Sequence, residues 1–114
     1  MSEYRYIFIR PGFPRDQLIR DAAATCGAEI RPVDSEFVDY TANLGYAAVE
    51  VEFTHEYEED HDSLFAVRDF NSNLERQEAT ARRIFKNLAA LDRYELLLVR
   101  GLQERLASSG PTPQ

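Results

Sequence analysis

The chain has 114 residues, enough for one domain with a self-supporting core, because roughly two-thirds of the unfolded surface leaves water at this size. Its 20 acidic residues outnumber 13 basic ones, and a net charge of −7 argues against nucleic acid, which demands the opposite sign. The apolar share is 44% with no run near the ~20 residues of a membrane span, so no membrane partner is expected.

Met1 to Arg10 lacks the basic start, apolar stretch and small-residue cleavage site of a secretory signal. Cys26 is the only cysteine, so no intrachain disulfide forms, and the compartment expected is the cytoplasm. One α+β domain is expected over residues 1–109, with 110–114 as a disordered tail.

Tyr4 to Ile9 is a run of β-branched and aromatic residues closed by Arg10-Pro11-Gly12, which reads as a strand. Tyr4, Tyr6 and Phe8 share one face, and Arg5, Ile7 and Ile9 share the other. Pro14 suits a helix start, Leu18, Ile19, Ala22, Ala23 and Cys26 recur at helical spacing, and Gly27 is a natural C-terminal cap. The first helix therefore spans 14–26.

Residues 28–33 read as an edge strand, since Pro32 cannot donate to a ladder. Glu36 to Thr41 alternates well enough to pair with the next segment through a turn at Asn43-Leu44-Gly45. Tyr46 to Thr54 is the clearest strand: Ala47, Val49, Val51 and Phe53 face inward, while Glu50 and Glu52 face solvent. Leu64 to Phe70 reads as a further short strand. Ser72 and Glu75 have the spacing of a capping box, which opens a helix over 73–91. Its apolar stripe is Leu74, Ala81, Ile84, Phe85, Leu88 and Leu91. Tyr94 to Val99 is apolar throughout and fits a central strand, and 102–107 reads as a short C-terminal helix. A rival reading fuses 93–107 into one helix.

The order β-α-β-β-α-β is the ferredoxin-like arrangement: an antiparallel sheet with two helices on one face, here with one extra short strand. The opposite face would carry Tyr4, Tyr6, Phe8, Glu50 and Glu52.

The charge distribution is the strongest functional signal. No lysine or arginine occurs from Pro32 through Val67, and that segment holds ten acidic residues. The remainder carries 13 basic residues against ten acidic ones. Such a run keeps a protein soluble, and it also steers a cationic partner toward encounter. The expected partner-binding residues are Glu50, Glu52, Glu56, Glu58, Glu59, Asp60 and Asp62, and the expected partner is a basic protein.

His55 and His61 lie among these carboxylates, but neither the oxygen spacing of a calcium loop nor a histidine-cysteine zinc pattern is present. No metal and no cofactor are expected, and no catalytic residues are assigned. Cys26 has no neighbouring base in the sequence and reads as a buried apolar group. The alternative function uses the aromatic face, where Tyr4, Tyr6, Phe8 and Tyr46 would bind a small molecule in a homodimer, as binding protein or enzyme. In size, charge and class, though in no motif, the chain resembles the small acidic inhibitor and immunity proteins that neutralise basic toxins. That resemblance implies a non-enzymatic binding module.

Overall fold

A computed structural model describes residues 4–12, 14–36, 38–53, 62–100 and 104–111. The elements follow the chain as β1 (Arg5–Arg10), α1 (Arg15–Cys26), β2 (Ile30–Pro32), β3 (Tyr40–Asn43), β4 (Ala47–Glu52), β5 (Ser63–Asp69), α2 (Leu74–Ala90), β6 (Glu95–Arg100) and β7 (Glu104–Ser109). The strands form one antiparallel sheet in the order β2-β3-β4-β5-β1-β6-β7.

The α+β class is therefore as expected, but the strand count and order differ from the expected ferredoxin-like unit with an extra short strand and a short C-terminal helix. The largest correction is at the C-terminal end, where 104–109 is a strand and not a helical turn. Leu96, Leu97, Leu98 and Val99 are buried on both faces of β6. A strand so apolar needs a neighbour on each edge, and β7 supplies the outer one. The fused helix over 93–107 is excluded by the same pairing. The expected strand 36–41 is also displaced, to Tyr40–Asn43. Gly45 N–H donates to Asn43 Oδ1 at 2.8 Å and Leu44 N–H to the Ala47 carbonyl at 2.8 Å, so the β3–β4 ladder runs up to that turn.

Helix α1 begins after Pro14, whose carbonyl accepts from Gln17 and Leu18. It ends at Gly27, which takes the left-handed conformation (φ 69°) while its N–H returns to the Ala23 carbonyl. Helix α2 is capped one residue later than the Ser72 box predicts. Asn73 Oδ1 accepts from Arg76 N–H at 3.0 Å, and Ser72 itself sits at φ 56°. The shift has a local cause. Asp69 accepts from Asn71 and Asn73 N–H, folding the connection so tightly that Asn73 reaches the cap position.

Both helices pack on the face carrying Ile7, Ile9, Val49, Val51, Phe65, Val67, Leu96 and Leu98, where they contribute Leu18, Ala22, Cys26, Ala81, Ile84 and Leu88. Leu74, the first residue of α2, leaves the predicted stripe and is 41% exposed. Among the described residues no helix is long and apolar enough to cross a membrane.

Candidate functional site

The strand registers bring the sequence-predicted aromatic and acidic residues onto one surface, the sheet face away from the helices. Tyr6 lies between Ala66 and Val99, and Phe8 between Leu64 and Leu97. One strand further out, Glu50 pairs with Ala66 and Glu52 with Leu64. Strand parity then sets Glu50, Glu52, Tyr6 and Phe8 on the same side.

Phe8, Leu64, Ala66, Leu97 and Val99 form a second apolar cluster there, with Tyr4 and Tyr6 packed against it. The three rings form a ladder, with centroids 5.9 Å apart for Tyr4–Tyr6 and 6.2 Å for Tyr6–Phe8. Phe8 is buried whereas Tyr4 and Tyr6 are half-exposed, so the tyrosines are the accessible part of the ladder. Arg10 and Glu95 close one end of this face with an ion pair between β1 and β6.

Glu50 and Glu52 are half-buried rather than exposed as the alternation alone predicts. The sheet extends beyond β4 on the outer side, so both side chains lie within its surface and not along its rim. Glu50 has Arg68 at 3.7 Å. Glu52 is different. Its carboxyl is held above the usual carboxylate range by burial first, then by repulsion from Glu50 and Asp39.

Two other predicted positions do not join this surface. Asp62 accepts from Gly12 N–H at 2.7 Å and from Ser63 Oγ at 3.2 Å, so it ties the end of β1 to the start of β5. Tyr46 lies at the far end of β4, where its hydroxyl meets Thr80 Oγ1 at 2.9 Å and Arg76 stands over its ring at 5.0 Å. It therefore anchors α2 and is no part of the aromatic ladder. Glu56, Glu58, Glu59, Asp60, His55 and His61 lie outside the described residues.

Among the described residues no three histidine, cysteine, aspartate or glutamate side chains come together to hold a metal. Cys26 is buried, and burial pushes its thiol up to about 11, which leaves it protonated and a poor nucleophile at neutral pH. Asp21 accepts from the Tyr94 hydroxyl and, at 2.9 Å, from Arg93 Nη1, fastening α1 to the entry of β6. Burial, and then the Asp21 partner, raises the Tyr94 phenol far above its ordinary range, so it does not serve as a proton donor near neutrality.

Sequence reasoning missed a second charged cluster. Arg5 and Arg100 are opposite one another across β1 and β6, and both reach Glu78 on α2, as does Arg82. A signal was available: Arg5 occupies the core-facing parity of β1, alongside Ile7 and Ile9. A charge at such a position needs a partner.

Comparison with protein-family models, with curated proteins and with solved structures finds no match for this chain.

Proposed function

We propose that the chain is a non-enzymatic binding module that docks a basic protein partner through the acidic side of the β4–β5–β1 face. An inhibitor or immunity-type role is the specific form of this reading, in the reducing cytoplasm that a single buried thiol suits. The observation that carries it is Glu52, a half-buried carboxylate kept beside Glu50 and Asp39, whose charges disfavour its own. Such an arrangement destabilises the unbound chain, and a cation brought by a partner relieves it. The half-exposed Tyr4 and Tyr6 beside these carboxylates add the amphipathic contact area that binding surfaces favour. The inner order β4-β5-β1-β6, with α1 and α2 on one face, supports descent from a ferredoxin-like plan to which β2, β3 and β7 were added.

The test is affinity capture from the source cell in parallel with the native chain and with Glu50→Gln/Glu52→Gln. The proposal expects a basic protein retained by the native chain, with association to the variant slowed and less dependent on salt. A basic protein bound equally by both would assign this surface no docking role.

A second reading rests on the ring ladder of Tyr4, Tyr6 and Phe8, closed over a small ligand in a homodimer. Sedimentation separates the two. A dimer that dissociates on Tyr6→Ser supports the second, and a monomer retires it.

A further inference from the structure

Glu78 accepts at Oε1 from Arg5 Nε at 3.2 Å and Arg100 Nη2 at 2.7 Å, and at Oε2 from Arg82 Nε at 3.3 Å. Three guanidiniums converging on one carboxylate hold its carboxyl down to about 2, the Arg100 hydrogen bond contributing most. Beside this cluster is a cavity of about 400 Å³, lined by Arg5, Leu74, Glu75, Glu78, Ala79, Arg82 and Arg100. The volume falls within the range of small-molecule sites.

Among the described residues the lining carries three positive charges against two negative ones, in a chain whose net charge is −7. Glu104, on Arg100 Nη1 at 3.1 Å, balances that arginine from its other side, outside the cavity lining. Arginine's planar fork suits a carboxylate, and three guanidiniums already converge on the Glu78 carboxylate, each through one hydrogen bond. The rest of the wall is different. Leu74 and Ala79 present apolar surface, and Leu74 is among the few large apolar side chains left exposed among the described residues.

From this combination we infer that the cavity binds a small organic carboxylate. Its charged group meets the arginine cluster, chiefly Arg82, the most exposed of the three, and its apolar body lies on Leu74 and Ala79. The inference is independent of the acidic docking face, since α2 packs on the opposite side of the sheet. Glu78 would be both organiser and competitor: it holds the arginines in place and occupies part of their hydrogen-bonding capacity.

Benzoate is a suitable probe, with benzamide as its uncharged counterpart. Titration of the full chain would be followed through the Arg82 Nε–Hε signal and the amides of 74–82. The expected result is saturable shifts with a Kd on the order of 1 mM, the range of a fragment-sized ligand. Arg82→Gln, at a side chain 48% exposed, should keep the fold and weaken binding about tenfold, the loss of one charge-assisted contact. Glu78→Gln, checked for folding by its amide spectrum, should bind benzoate more tightly than the native chain. Absence of saturable shifts in the native chain, equal response to benzamide, or unchanged affinity in Arg82→Gln would each overturn the inference.

Discussion

Glu52 lies directly opposite Leu64 in the β4–β5 ladder, so a carboxylate borders a leucine with no exposed surface. Its raised pKa has a definite sign for stability. The folded chain holds the Glu52 proton more tightly than the unfolded chain does, so ionisation at neutral pH works against folding. Glu52→Gln should therefore raise the unfolding free energy at pH 7, read from urea midpoints, by about 0.5 kcal/mol or less given the partial exposure of the site. The gain should shrink as pH falls through the Glu52 titration. A variant less stable than the native chain at pH 7 would show that the carboxylate is stabilised by its surroundings.

Acid unfolding should be governed by two carboxylates of the opposite kind. Asp69, whose side chain is fully buried, is lowered to about 2, first by its hydrogen bonds from Arg76 and further by the Asn71 and Asn73 amides. Glu78 is likewise held at about 2. Both release protons more readily folded than unfolded, so the stability they confer is present above their unfolded values and lost as pH falls. The window runs from about pH 4.5 down toward pH 2. Midpoints measured across it should fall steeply for the native chain and less steeply for Arg76→Gln, which removes the main cause of the Asp69 shift. Parallel slopes would place the acid sensitivity elsewhere.

The start of α2 separates two neighbours that look equivalent in the sequence. Asn73→Ala should cost about 1 kcal/mol, because it removes the acceptor for Arg76 N–H. Ser72→Gly should be neutral or stabilising, since glycine adopts φ 56° without the strain a side chain brings. Ile84→Ala and Leu88→Ala, both fully buried, should each cost about 2–5 kcal/mol. Denaturant midpoints of the four variants check the set, and a larger loss at Ser72 than at Asn73 would restore the capping box.

How far the sequence could be read depended on whether a local pattern was left to act alone. Alternation located the inward residues of β4, and Val49, Val51 and Phe53 are indeed buried. The continuous apolar run of β6 revealed a strand buried on both sides. Residues 104–109 failed because their two apolar residues, Leu106 and Ala107, are adjacent and show no alternation, and the strand exists to cover the edge of β6. Ser72 failed because the cap was decided by Asp69, which folds the loop from outside the helix. The Glu78 cluster draws on three elements far apart in the chain, so spacing held no trace of it, and only the misplaced charge of Arg5 hinted at a partner.

Gly12 offers a steric test of how β1 is joined to β5. A Cβ built on Gly12 would collide with Ser63 Oγ and lie 2.8 Å from Asp62 Oδ1, the same oxygen that accepts Gly12 N–H. Ser63 is buried, so its hydroxyl cannot simply swing into solvent. Gly12→Ala should therefore cost about 1–3 kcal/mol, the usual range for overpacking. Ser63→Ala removes the worst of the collision while leaving the Asp62 contact and a Ser63 Cβ distance of 3.1 Å. The double variant should lose clearly less stability than the two single losses added together, because both changes act on one contact. Additive losses in a double-mutant cycle would mean that Gly12 moves away from Ser63, and that the strand ends are held by the Asp62 hydrogen bond without close packing.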